Sequence, residues 1–218
     1  MSLPIELGEG CRRLLCLGAH SDDIEIGCGG TILSLLAANP DLHVDYVVLT
    51  ASPEREQEAR QSAGILLAGA KSRQLVFQRF RNGFFPYEGA AIKEFFEELK
   101  KQVQPDLILT QSRDDRHQDH RVTAELTWNT FRDHLIVEYE IPKYDGELTS
   151  PNLYVPLSEA VAEQKISLLM TQFASQHSKP WFDERTFRAL MRLRGLECNA
   201  PSGWAEAFAG RKLTLGIV

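Results

Sequence analysis

Leu14-Leu15-Cys16-Leu17-Gly18-Ala19-His20-Ser21-Asp22-Asp23-Ile24-Glu25-Ile26-Gly27-Cys28-Gly29-Gly30-Thr31 is the stretch whose reading decides the fold. Its first half, begun at Arg12, is a short apolar run ending in small residues, which suits a strand buried on both faces. Its second half sets an imidazole and adjacent carboxylates before a Gly-Cys-Gly-Gly turn. That is a poor recipe for a core and a good one for a strand end that delivers ligands into a cleft. After Gly30, residues 31–38 carry apolar positions at helical spacing, Asn39-Pro40 stops them, and residues 44–50 are β-branched and strand-like. The result is a β-α-β unit.

The alternation continues outward from it. Ser52-Pro53-Glu54 supplies an N-cap, a proline at the first helical position and early negative charge, predicting a helix over 53–67. A strand over 74–80, an amphipathic helix over 90–102, a buried strand over 105–110, a helix over 122–131 and a strand over 135–140 follow. Such alternation predicts an α/β fold, a mostly parallel sheet with helices on both faces and ligands at the carboxyl ends of its strands. Residues 141–218 read as a helical and turn-rich elaboration of a core over about 11–140, within one domain spanning 1–218. In it, Ser158 caps a helix running to about 176, another helix covers 183–194, and 213–218 return as a last strand.

The whole chain sets bounds. Its 218 residues, 43% hydrophobic and 25% charged, suffice for one sizeable core. Thirty acidic against 24 basic side chains, a net charge of -6, give no basis for a non-specific grip on nucleic acid. No apolar run approaches the length of a transmembrane helix, and the expected setting is cytoplasmic. Cys11, Cys16, Cys28 and Cys198 form no Cys-x-x-Cys pair, so neither a disulfide framework nor a cysteine zinc site is expected.

The second polar cluster, Ser112 to His120, follows the 105–110 strand as the first cluster follows its own. His117-Gln118-Asp119-His120 places two imidazoles three residues apart, on one side of the chain if a helix begins there. With His20 and Asp23, this offers the neutral nitrogens and carboxylate that a divalent metal needs. We read His20, Asp23 and His120 as the ligands, with a position left for water.

His20-Ser21-Asp22-Asp23, Gly27 to Thr31 and the later His-x-Asp-His together resemble the PIG-L/LmbE-like N-acetylglucosaminyl deacetylase family, as does Trp204-Ala205-Glu206-Ala207-Phe208 near the end. The resemblance implies a Rossmann-like three-layer sandwich and a zinc-dependent hydrolase that removes acetyl from a small N-acetylated sugar or glycoconjugate. It implies that His20, Asp23 and His120 hold the metal, that Asp22 is the general base and that His117 assists the oxyanion or leaving group. Asp119 is then read as accepting a hydrogen bond from a protonated His117, and Arg55, paired with Glu58, as facing substrate. Ser21 stands where the family has proline and Ile24 where it has glutamate, so any duty of that glutamate is lost or moved to Glu25. Asn82 stands where relatives carry an acidic residue.

Other readings are a non-catalytic sugar-binding module, a hydrolase of another small amide, a non-haem iron oxygenase and a dinucleotide-binding oxidoreductase. The last lacks the Gly-x-Gly-x-x-Gly turn, and its pyrophosphate would meet Asp22 and Asp23. A homo-oligomer is compatible with everything above.

Overall fold

A computed structural model describes Leu7 and residues 10–214. The strands are β1 (Arg13–Gly18), β2 (His43–Val48), β3 (Ser72–Phe77), β4 (Leu107–Gln111), β5 (Leu135–Tyr139), β6 (Leu153–Leu157) and β7 (Trp204–Gly210). The helices are α1 (Asp23–Ala38), α2 (Pro53–Leu66), α3 (Gly89–Gln102), α4 (Gln118–Thr130), α5 (Glu159–Gln172) and α6 (Glu184–Glu197). One mixed sheet runs in the order β3-β2-β1-β4-β5-β7-β6. Its first five strands are parallel, and β7 lies antiparallel to both β5 and β6. The chain steps outward from β1 to β3 and returns to lay β4 against β1. The crevice at the carboxyl ends of β1 and β4 is therefore the topological switch point.

Strand alternation divides the core into two layers. Leu14 and Cys16 of β1 pack with residues of α1, α2, α5 and α6, while Leu15 and Leu17 pack with α3 and the underside of α4. In α3 the buried positions Ile92, Phe96 and Leu99 fall at helical spacing. Ser52 and Ser158 act as the expected N-caps, each hydroxyl accepting from a backbone N–H three residues on.

The structure redraws several boundaries. Helix α1 begins at Asp23, so the Gly-Cys-Gly-Gly segment is inside the helix and not a turn before it. The helix breaks at Cys28 (φ −146°, ψ 15°), and close packing explains Gly27 before it and Gly30 after it. A Cβ on Gly27 would stand 2.2 Å from Cδ2 of Tyr139, a fully buried ring whose hydroxyl donates to the Leu17 carbonyl. Gly27→Ala is therefore expected to destabilise the protein by about 1–3 kcal/mol or more through overpacking, read as a lowered urea midpoint at unchanged m.

The helix expected over 158–176 ends at Gln172, and a 3-10 turn covers Ala174–Gln176. Strand β6, unforeseen because Pro156 interrupts it, tolerates the proline as the edge of the sheet. The final strand of the described residues is β7 and not 213–218. Leu213 and Thr214 are not in a strand, and residues 215–218 lie outside the described residues.

Candidate active site

The two polar clusters meet at the switch point. His20 leaves the end of β1, Asp22 and Asp23 open α1, and His117 is the N-cap of α4, with Asp119 and His120 in its first turn. The early start of α4 puts the His117 and His120 rings 4.7 Å apart between centroids.

Three atoms converge. His20 Nδ1 lies 3.0 Å from His120 Nε2, and Asp23 Oδ2 lies 3.4 Å and 3.5 Å from those two nitrogens. Ligands about 2.0–2.2 Å from one tetrahedral zinc stand roughly 3.3–3.5 Å from each other, so this spacing fits a small divalent ion. The far side of each of the two imidazoles is held by a carboxylate, as in histidines that bind metals. His20 Nε2 faces Asp119 Oδ2 at 3.2 Å, and His120 Nδ1 faces Asp115 Oδ2 at 2.8 Å. Asp23 Oδ2 accepts from the His20 backbone N–H at 2.7 Å and from Gln111 Nε2 at 2.9 Å. With those second nitrogens donating to carboxylates, the remaining imidazole lone pairs aim at one point and need a positive charge there.

The charges record that need. Burial acts to lower the His20 pKa, but the nearby Asp23 carboxylate and the hydrogen bonds that His20 donates to Asp119 and Asp23 outweigh it and raise it to about 9. Burial acts to raise that of Asp23, and His120 and His20 overcome it, holding the group far below the ordinary carboxylate range.

His117 behaves otherwise than expected. Burial, with the neighbouring His120 and His20, lowers its pKa to about 4. It is neutral at pH 7, and its Nδ1 accepts from the Asp119 backbone N–H at 3.2 Å, which leaves Nε2 as the proton-bearing nitrogen. The expected side-chain bond from His117 to Asp119 is replaced by this backbone one. The Asp119 carboxylate instead orients His20 and takes the N–H groups of Gly83 (2.7 Å) and Phe85 (3.2 Å). His20, His117 and His120 each place a nitrogen within 4.8 Å of the others, so His117 borders the donor cluster.

Asp22 is 3% exposed. Its Oδ1 accepts from Arg55 Nη2 at 2.5 Å, while Oδ2 is buried with no protein partner. Arg55 reaches the site as expected, but Glu58 does not: it holds Ser175 through the backbone N–H (2.8 Å) and Oγ (2.6 Å). Ile24 is pure core and Glu25 points away, bonded to Tyr46 and Ser62, with burial pushing its carboxyl up to about 7. Asp23 and His120 are held instead by Gln111 and Asp115, neither anticipated. A polar residue closing the apolar run of β4 and a carboxylate beside His-x-Asp-His were the available signals.

These side chains floor a cavity of about 320 Å³ whose walls include Asn82, Lys143, Tyr144, Lys179 and Trp181. Larger depressions beside Cys11 and Arg113 contain no such cluster, so chemistry and not size picks the site.

The family model described as PIG-L, GlcNAc-PI de-N-acetylase, matches residues 15–131. The uncharacterized deacetylase YaiS of Escherichia coli (strain K12) is 28% identical over 121 residues, 50% of this chain and 62% of that protein's length. The N,N'-diacetylchitobiose deacetylase from Pyrococcus horikoshii superposes with a TM-score of 0.69 at 22% identity, over 92% of this chain and 84% of that one. GalB, the 4-carboxy-2-hydroxymuconate hydratase of Pseudomonas putida KT2440, gives 0.72 at 17% over 95% and 100%. At these identities the two solved structures share the fold, and a fold that carries a hydratase as well as a deacetylase leaves the reaction to the site.

Proposed function

The chain belongs to the PIG-L family of deacetylases, and from that premise we propose that it is a zinc-dependent hydrolase that removes the acetyl group from an N-acetylated sugar or glycoconjugate. The observation that carries the reading is the convergence of His20 Nδ1, Asp23 Oδ2 and His120 Nε2 in the same cavity as the partnerless Asp22 Oδ2.

His20, Asp23 and His120 would hold the ion, and Asp119, Asp115 and Gln111 keep their donor atoms aimed. A divalent ion there supplies Lewis acidity toward the amide carbonyl and brings the pKa of water toward neutrality. Asp22 takes the water proton at Oδ2 while Arg55 fixes its carboxylate plane through Oδ1. Neutral His117 donates Nε2–H toward the developing oxyanion, a role that needs no imidazolium, and the proton held by Asp22 is available to the departing amine. Acetate and a free amino sugar result. A cavity near the lower end of small-molecule sites takes a single sugar unit, with any aglycone left at the mouth.

Strands β6 and β7 complete the sheet that β1 begins, so the reading treats the chain as one unit. Among the described residues no helix is long and apolar enough to cross a membrane, and the reading takes a cytoplasmic setting in which the four free cysteines stay reduced.

The test pairs metal analysis with acetate release from N-acetylglucosamine and its conjugates. One tightly held divalent ion per chain is expected, and chelation should abolish release that zinc restores. Undiminished release from metal-free protein, or a retained ion with no release from any N-acetyl sugar, would sink the reading. Asp115→Ala, which frees His120 Nδ1, is expected to weaken metal binding about 10–100-fold in a competition titration.

A further inference from the structure

Three cationic side chains line the cavity, and two are committed to carboxylates. Arg55 pairs with Asp22 at 2.5 Å, and Lys143 pairs with Asp115 at 2.8 Å and with Glu147. Lys179 is in none of the ion pairs found among the described residues. Its Nζ donates to Gln176 Oε1 at 2.6 Å and stands 5.7 Å from the centroid of the Trp181 ring.

That position is built. Glu58 of α2 grips Ser175 through two hydrogen bonds, Ser175 Oγ accepts from Gln176 Nε2 at 2.8 Å, and Gln176, 3% exposed, thereby turns its carbonyl oxygen toward the lysine. A neutral acceptor steers the ammonium without cancelling its charge. Lys179 is exposed at the cavity mouth, and partial burial first and then the Arg55 guanidinium lower its pKa, with Asp22 and Asp23 opposing them. Arg55 Nε is also a buried donor with no acceptor. Two cationic groups in one cavity, one without a counter-ion and one with an unused N–H, form a receptor for negative charge. The lining carboxylate beyond Asp22 and Asp23 is Asp145, which is exposed.

We propose that the substrate is an N-acylated sugar bearing an anionic substituent, a carboxylate or a phosphate, and that Lys179 at the cavity mouth selects it. The inference rests on the deacetylase reading and deepens it. The acyl group lies over the His20, Asp23 and His120 donors, the sugar ring fills the cavity beside Trp181, and the anion meets Lys179. The Glu58–Ser175–Gln176 relay then has a purpose that an ordinary helix-face glutamate would lack.

The experiment compares kcat/KM for acetate release from N-acetylglucosamine, its 1- and 6-phosphates and N-acetylmuramic acid, using zinc-loaded wild type, Lys179→Gln and Lys179→Arg. At least one anionic sugar should be preferred by about tenfold or more, through KM, with the preference shrinking as salt is added. Lys179→Gln should remove most of that preference and Lys179→Arg should restore part of it. Whether the phosphates or the muramic carboxylate gain identifies the anion. Equal kcat/KM for neutral and anionic sugars, or a Lys179→Gln loss of the same size for all of them, overturns the proposal while leaving deacetylation intact. Calorimetric binding of the same sugars to zinc-loaded Asp22→Asn, alone and combined with Lys179→Gln, separates the two readings. Lys179-dependent anion binding without wild-type acetate release removes the deacetylase reading alone, and binding indifferent to Lys179 removes this one.

Discussion

Asp22→Asn is expected to lower kcat/KM for acetate release by about 10²–10⁴-fold while the protein keeps its metal and its stability. The separation of these effects follows from how the two Asp22 oxygens are used. Oδ1 receives the Arg55 guanidinium at 2.5 Å, and an asparagine carbonyl accepts the same bond. Oδ2 makes no contact with a protein donor although the side chain is almost wholly buried on the cavity wall. Leaving a buried carboxylate oxygen unsatisfied costs stability, and such a group is retained where something else comes to it. In asparagine that atom becomes an amide nitrogen, which cannot take a proton from water. Asp23 cannot substitute: its Oδ2 already accepts from Gln111 and the His20 backbone and faces the proposed metal position between His20 and His120. The measurement is acetate release alongside metal content and a urea melt. A variant within about threefold of wild type would move the base elsewhere, and one that loses its metal would make Asp22 a structural residue.

What the residues disclose in order, and what they hide, follows from the range of the interactions. The apolar runs of β1, β2 and β4 announce a parallel sheet because strands covered on both faces leave no polar alternation to misread. The placement of His20 and His117 after such runs makes their meeting foreseeable from topology alone. Partners across the chain are not foreseeable in that way. Asp119 sits two residues from His117, yet its carboxylate serves His20, 99 positions away, because the first turn of α4 points its own N–H at His117. Asp23 takes Gln111 from 88 positions away, and Glu58 leaves Arg55 for Ser175. Glycines mislead for a related reason. Gly27 to Gly30 look like a turn, but the small size of Gly27 and Gly30 serves close approach of Tyr139, Leu157 and Glu206 to a helix, which no local pattern encodes.

The break in α1 carries the largest expected effect on stability. At Cys28 the helix in effect ends and restarts, exposing the carbonyl of Ile26 and the N–H groups of Gly30 and Thr31 in the core. Glu206 of β7 accepts both N–H groups, at 2.9 Å and 2.7 Å, and Lys165 of α5 bridges Glu206 Oε1 (2.5 Å) and the Ile26 carbonyl (2.6 Å). Glu206→Ala therefore orphans two buried donors and leaves an ammonium in the core with one carbonyl for company. The expected cost is about 3–5 kcal/mol, a large share of a stability that for domains of this kind is about 5–15 kcal/mol. Urea unfolding of metal-free protein reads it directly. The double change Lys165→Met with Glu206→Gln removes the charge with its partner and returns one acceptor to the exposed N–H groups. It should be more stable than Glu206→Ala despite altering two residues, a coupling that additive losses would not give. A Glu206→Ala protein within about 1 kcal/mol of wild type would show that the break is satisfied by water instead. The same staple ties the candidate active site to β7, the strand beside the far sheet edge. The helical segment before the break, residues 23–27, begins with Asp23, a proposed metal ligand, and follows directly on Asp22, so metal affinity in Glu206→Ala should fall along with stability.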